Sequence, residues 1–231
     1  MTMTATTAQS QRTLAELVAE NPARAVVLDH IGLDFCCHGA RSLADACSEA
    51  GLDAEEVAAA LDTVAPLPAA WTGGGRGDLA AYVESTHHSY LHAELGSLEW
   101  LAGKVFSVHG DRHPELQEVA GLVVEVAADL RPHLAAEETE VFPAIASLAP
   151  GTAGDDRLAA RIDDLVAEHA ALGAKLARLR ELTDGYKTPE DGCASYRSLY
   201  ERLAHLESDT HIHIHLENNV LFPSALRVEP E

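Results

Sequence analysis

Thirteen histidines are spread through this 231-residue chain, and a few stand at spacings that can do chemistry. His133 is followed four residues later by Glu137, and His213 by Glu217. Two residues four apart on a helix share a face, so each pair can aim an imidazole and a carboxylate at one point. The second pair repeats the first at an offset of 80 residues, as Phe222-Pro223 repeats Phe142-Pro143. His88 with Leu91 and Leu95 recurs as His169 with Leu172 and Leu176, at an offset of 81. Register kept over that distance implies two related helix hairpins about a pseudo-twofold axis. The axis gathers four histidines and two glutamates. Bundles hold metals with side chains of this kind, projecting inward from facing helices.

The donor count suits two metals. If both glutamates bridge, each metal receives two imidazole nitrogens and two carboxylate oxygens. An oxo or hydroxo bridge adds one more ligand and still leaves each metal open to an outside molecule. Imidazole and carboxylate without thiolate fit iron, manganese or zinc. Bridging carboxylates and an open position favour redox-active iron, although spacing does not separate iron from manganese. A single histidine is more often a solvated group or a satisfied core group. The duplicated set is different, because a bland reading would leave two acids unpaired on buried faces.

Other residues near the set carry weaker expectations. His87 and His92 flank His88, and either can sit behind the ligands. His211 and His215 lie beside His213 but have no counterpart in the first repeat. His109 and His113 fall in a polar loop, where solvated rings are expected. Asp129, one turn before His133, is a candidate to hold that ring. Glu168 reads equally as the lining of an access route or as a solvated acid. Pro132 should kink its helix just before His133.

Helices must position all of this. The composition is 47% hydrophobic but only 5% aromatic, dominated by Ala and Leu, which favours helix over sheet. Asp78 is expected to cap a long helix reaching about Val108. Pro114 opens a second helix that runs towards Leu148 and is interrupted at Pro132. A third covers about Asp156 to Leu182 and stops at Asp184-Gly185. Thr188-Pro189-Glu190-Asp191 reads as the start of a fourth, which continues past Glu217. Four long amphipathic helices with modest loops argue an antiparallel bundle over residues 78–227. Ahead of it, residues 13–65 read as a small domain of about four short helices. Thr13 with Glu16 forms a capping box there, Asn21-Pro22, Ser42 and Asp53 are further helix starts, and Gly51 is a stop. The Pro- and Gly-rich stretch 66–77 is a linker, and residues 1–12 read as a disordered tail.

Charge and targeting narrow the partners. Sixteen basic residues stand against 37 acidic ones, for a net charge of -21. That balance repels nucleic acid and anionic membranes, so neither is expected as a partner. No apolar run approaches the roughly 20 residues of a membrane span, and the polar N-terminus lacks a signal core. The expected location is the cytoplasm, with thiols reduced. Cys36 and Cys37 are adjacent in a turn over residues 32–39, poor geometry for an ordinary disulfide. Such thiols either exchange disulfides and bind soft metals or are buried and inert. Cys47 and Cys193 carry no motif.

The segments HLAAEETEVFP and HIHLENNVLFP resemble the two halves of the hemerythrin HHE cation-binding domain. LDFCCHGARSL resembles the cysteine motif of the ScdA N-terminal domain. Together, over about residues 14–226, they resemble the repair-of-iron-centres family of the ScdA/YtfE type. The resemblance implies an all-α fold, a hemerythrin-like four-helix bundle with a small N-terminal helical domain. It implies a di-iron protein that restores iron-sulfur clusters damaged by nitrosative or oxidative stress, by iron donation or nitric oxide handling. The family's ligand pattern falls on His88, His133, Glu137, His169, His213 and Glu217. Its cofactor is two iron ions with an oxo or hydroxo bridge. Oxygen-carrying hemerythrins use five histidines, so this set is one short and more open. The family's vicinal cysteines correspond to Cys36 and Cys37, with thiol exchange or iron transfer as their role. His38 stands where a small residue often follows the cysteines, and Gly96 stands where the family often has proline. The implied partners are damaged iron-sulfur proteins, with nitric oxide or oxygen as small ligands; a homodimer is compatible. The expectation is a metal-dependent repair protein rather than an enzyme. The alternatives are a hemerythrin-like oxygen or nitric oxide binding or sensing protein, and a di-iron nitric oxide reductase.

Overall fold

The computed structural model describes residues 9–65 and 74–227, which form helices joined by turns. Among these residues there is no strand, only an isolated bridge between Thr13 and Ser42. The small domain consists of α1 (Leu14–Glu20), α2 (Arg24–His30), α3 (Leu43–Ala50) and α4 (Ala54–Asp62). Its punctuation is chemical. Thr13 Oγ1 accepts from the Glu16 N–H while the Glu16 carboxylate accepts from the Thr13 N–H, satisfying two amides that a helix start leaves orphaned. Ser42 and Asp53 cap α3 and α4 with their side-chain oxygens, which accept from first-turn N–H groups without the reciprocal bond. Gly51 ends α3 at φ +68, a conformation that costs other residues more.

Two expectations for this region are corrected. Asn21 does accept from a downstream amide, that of Ala23, but it opens a turn, and α2 begins only at Arg24. The tail expected over residues 1–12 is not free at its inner end. Gln9 and Ser10 are buried, and the Leu43 N–H donates to the Arg12 carbonyl. Residues 1–8 lie outside the described residues, as does most of the expected linker.

Four rods form the bundle. The first is α5 (Arg76–Val83), a π turn (Glu84–His88) and α6 (Ser89–His109). The second is α7 (Glu115–Ala136), a π turn (Glu137–Val141) and α8 (Phe142–Ser147). The third is α9 (Asp156–Leu182), unbroken. The fourth is α10 (Ala194–Leu216), a π turn (Glu217–Leu221) and α11 (Phe222–Leu226). Asp78 does not cap the first rod. The helix starts two residues earlier, and the Asp78 carboxylate reaches back to the Gly75 N–H at 2.8 Å. Helix α7 runs unbroken through Pro132, and the interruption appears as a π turn beginning at Glu137. The fourth rod starts later than the Thr188–Asp191 signal. The Gly192 N–H donates to the Pro189 carbonyl and closes those residues into a turn. Cys193 then holds the extended position before Ala194.

The apolar core is divided. One cluster joins the small domain to much of the bundle, including Leu17, Phe35, Leu91, Leu130, Leu172 and Ile214. A second holds Val83, Val141, Phe142, Leu165, Leu221 and Phe222. Along every rod, the candidate metal ligands fall between residues of the first cluster and residues of the second. A polar layer therefore lies across the bundle with hydrophobic packing on both sides.

The small domain rests on the fourth rod beside that layer. The Phe35 ring lies edge-on to His211 at 6.1 Å and His215 at 5.8 Å. Asp29 bonds the His211 ring at 2.6 Å, and the Asn219 amide donates to the Cys36 carbonyl at 3.1 Å. A side chain at position 39 would meet the Phe35 carbonyl and Asn219, so the turn closes against the bundle only with glycine there. A chain cut to residues 74–231 is expected to keep its helical circular dichroism while melting at lower temperature, because the cut uncovers His211 and His215. An aggregated truncation would show instead that the small domain completes the bundle's core.

Candidate metal centre

The structure brings all six residues of the duplicated set into the polar layer, and all six are buried. They form two groups. In one, His88 Nε2 lies 3.1 Å from His213 Nε2, 3.4 Å from Glu137 Oε2 and 3.7 Å from Glu217 Oε1. His213 Nε2 is 2.9 Å from the same Glu217 oxygen. In the other, His133 Nε2 lies 2.9 Å from His169 Nε2 and 3.3 Å from Glu137 Oε1. His169 Nε2 is 3.3 Å from Glu217 Oε2. Each carboxylate thus gives one oxygen to each group, and each group holds two imidazole nitrogens and two oxygens. Donors about 2.1 Å from a common ion are separated by roughly 3.0–3.5 Å, close to these spacings.

The donor set also fits a metal on charge. Glu137 and Glu217 have no accessible surface, and both oxygens of Glu137 and one of Glu217 lack a hydrogen-bond partner. A buried charge left uncompensated costs several kcal/mol. The imidazoles do not supply the missing protons as neutral groups. His88 Nδ1 faces Glu138 at 3.0 Å, His133 Nδ1 faces Glu168 at 2.7 Å, and His169 Nδ1 faces the Asn218 side-chain oxygen at 2.9 Å. Those acceptors place the ring hydrogen on Nδ1 and turn a bare lone pair inward at Nε2. Facing lone pairs about 3 Å apart, beside two carboxylates, call for a positive charge in each group. Without metal only protons can supply it. Burial disfavours charge on His133, yet the adjoining Glu137 carboxylate outweighs burial and pushes its pKa up to about 9. Burial also opposes the charge of Glu217, but the surrounding imidazoles hold it well below the usual carboxylate range.

Local backbone chemistry sets these positions. Glu137 and Glu217 each open a π turn, and His88 closes one. Such turns are rare and concentrate at functional sites. Pro143 and Pro223 offer a reason for two of the three. Each lacks the amide that would close the α-helical bond four residues back, so the ladder is already open where the turn widens. Nothing in the sequence marks the turn at Glu84–His88.

Several neighbours are placed differently from expectation. Asp129 does not hold His133; it pairs with Lys175 at 2.7 Å. Glu168 takes that place. It also lines a cleft of about 410 Å3 that reaches His133 and His169, with Pro132 in its wall. His92 acts through Glu138, bonding at 2.8 Å the carboxylate that holds His88. His87 stacks on the His213 ring at 5.9 Å and bonds Asp209 at 2.9 Å. His109 is buried rather than solvated, because α6 turns its ring in against Tyr196, and its Nε2 sits 3.2 Å from Cys193 Sγ. His113 is mostly covered and bonds Asp191 at 3.0 Å. The reading of the sequence missed Glu138 and Asn218. Their signal was available, since each directly follows a glutamate of the repeat, again 80 residues apart.

Glu137→Ala and Glu217→Ala are each expected to lose at least one bound metal by elemental analysis, whereas His109→Ala keeps the full complement. Glu138→Ala is expected to keep the stoichiometry and weaken affinity by about 10- to 100-fold. Loss of metal in His109→Ala with retention in Glu217→Ala would reject the assignment.

Comparison with known proteins agrees with this geometry. A family model described as the hemerythrin HHE cation binding domain matches residues 79–225. A second, ScdA_N, a domain of unknown function, matches residues 10–65. An iron-sulfur cluster repair protein ScdA from Staphylococcus haemolyticus is 34% identical over 215 residues, covering 90% of this chain and 95% of that protein. An iron-sulfur cluster repair protein YtfE from Pectobacterium atrosepticum is 32% identical over 225 residues, covering 96% of this chain and all of that protein. The chain belongs to the ScdA/YtfE family, in which an ScdA_N domain precedes a hemerythrin HHE cation binding domain.

Proposed function

We propose that this chain is a cytoplasmic di-iron protein that repairs iron-sulfur clusters damaged by nitrosative or oxidative stress. His88 and His213 would hold one iron and His133 and His169 the other, with the carboxylates of Glu137 and Glu217 shared by both groups. Bound iron would supply redox chemistry and a place for a small molecule such as nitric oxide or oxygen. The observation that carries the reading is the pairing of two N2O2 donor groups through shared buried carboxylates.

The chain's own residues have distinct tasks here. Glu138, Glu168 and Asn218 orient three of the four rings, so the donors need little rearrangement to take up iron. The cleft beside Pro132 gives a small ligand a route to His133 and His169. Imidazole and carboxylate release ferrous iron more readily than a thiolate set does, and protonation of the ligands helps release. That suits a protein whose iron is cargo for a damaged cluster as well as a place to draw off nitric oxide. Cys36 and Cys37, on the turn that abuts the polar layer, serve thiol exchange or iron transfer with the client.

Reduced, iron-loaded protein is expected to restore activity to an aconitase-type enzyme inactivated by nitric oxide. Cys36→Ser/Cys37→Ser should keep two irons and restore activity poorly. Measuring the iron content of both proteins alongside recovery separates donation from nitric oxide removal. No recovery, together with reversible oxygen binding, would replace the repair reading with that of a carrier.

A further inference from the structure

Outside the polar layer, one other group of potential ligands stands together among the described residues: Asp34, Cys36 and Cys37. Their donor atoms lie within 4.8 Å of one another. We propose that these three residues form a second cation site, separate from the His/Glu centre, for one borderline-soft divalent ion such as zinc or ferrous iron. The proposal rests on the geometry of the turn and stands whether or not the repair reading does.

The sulfur spacing is the first argument. Cys36 Sγ and Cys37 Sγ are unbonded and 3.7 Å apart. Two thiolates about 2.3 Å from one tetrahedral ion are separated by about 3.8 Å. Adjacent cysteines commonly point to opposite sides of the chain. Here the tight turn at residues 34–38 brings both sulfurs to one side, at the distance a shared ion requires.

The third donor is already fixed. Asp34 Oδ1 accepts from the backbone N–H groups of Cys37 at 2.9 Å, Cys36 at 3.1 Å and His38 at 3.4 Å. Its Oδ2 is held by the His38 ring at 2.6 Å. Cys36 Sγ lies 3.3 Å from the same Oδ1, so the thiol proton occupies the place a cation would take. These contacts also lower the carboxyl pKa of Asp34 against its burial, which leaves the group ionised. A divalent ion would release two thiol protons on binding.

Room and an outlet exist on one side. The three residues line a cavity of about 340 Å3 between the small domain and the bundle, bounded also by His38 and His211. A water or an exchanging ligand can complete the ion's coordination from there. Asp29 and Glu207 also stand in its walls, the first bonded to the His211 ring at 2.6 Å and the second paired with Arg180 at 2.6 Å. On the opposite side Cys37 Sγ lies 3.7 Å from the His169 carbonyl, so the site adjoins the backbone of a candidate ligand of the main centre.

The test uses full-length, iron-loaded protein carrying Cys193→Ser, which removes the exposed thiol beside His109. Cadmium is titrated under a non-thiol reductant, and the thiolate-to-cadmium charge-transfer band is read in the ultraviolet. One equivalent of cadmium is expected to produce the band. It should vanish in Cys36→Ser/Cys37→Ser, lose about half its intensity in Cys37→Ser, and require at least about tenfold more cadmium in Asp34→Asn. The two irons of the His/Glu centre and the helical circular dichroism should not change in Cys37→Ser, whose half-buried side chain tolerates the exchange. Absence of the band in the parent, or its survival in the double variant, overturns the site.

Discussion

Two carboxylates with no contact with water, Glu137 and Glu217, set the terms for everything around them. Their burial is tolerable only if positive charge lies between them and stays there. The four inward imidazoles fix where that charge sits, and the acceptors behind three of the rings settle which nitrogen faces it. The remainder of the bundle serves as insulation. Apolar residues above and below the layer keep out the water that would otherwise compete for the same donors.

The same constraint explains the backbone. A regular α-helix puts His133 and Glu137 on one face, which brings the pair together without further device. Bridging asks more, because each glutamate must offer its two oxygens to two different groups. The π turns that begin at these residues loosen the ladder at the point where the carboxylate must be aimed. A proline one turn later removes an amide that a regular helix would have used. Local irregularity is thus concentrated at the layer: three of the four rods carry a π turn at a ligand, and α9 alone passes His169 as regular helix.

How much of this was legible follows from what the sequence encodes locally. The duplicated His–Glu spacing and the caps at Thr13, Ser42 and Asp53 are short-range patterns, and the structure realises each of them. The α9 bounds were readable for the same reason, with Asp155 capping the helix and positive-φ residues at 184–186 closing it. The misplaced start of the fourth rod had a true helix-start composition, but Gly192 turned the chain once more before the helix. His109 looked like a loop residue because nothing in the sequence reports that Tyr196 will lie beside it. Asp129 and Glu168 were indistinguishable as acids near a histidine. Which of them meets His133 depends on the rotation of α9 against α7, a tertiary fact. The π turns left only the prolines as a trace.

The duplication is also informative where it fails. Glu138 and Asn218 occupy matching positions, and each accepts the Nδ1 hydrogen of a histidine from the other rod of its own hairpin. A carboxylate does that alone and adds charge. An amide accepts with its oxygen and has a nitrogen left to donate, and Asn218 turns that nitrogen towards the Cys36 carbonyl at 3.5 Å, beside the shorter bond from Asn219. The first repeat has no small domain docked on it; there Glu138 meets His92 at the surface. Position 218 therefore has a task that position 138 lacks: it holds a ring of the buried centre and faces a carbonyl of the cysteine turn at once. Through that one side chain, the orientation of His169 and the seating of Cys36 are parts of the same hydrogen-bond network.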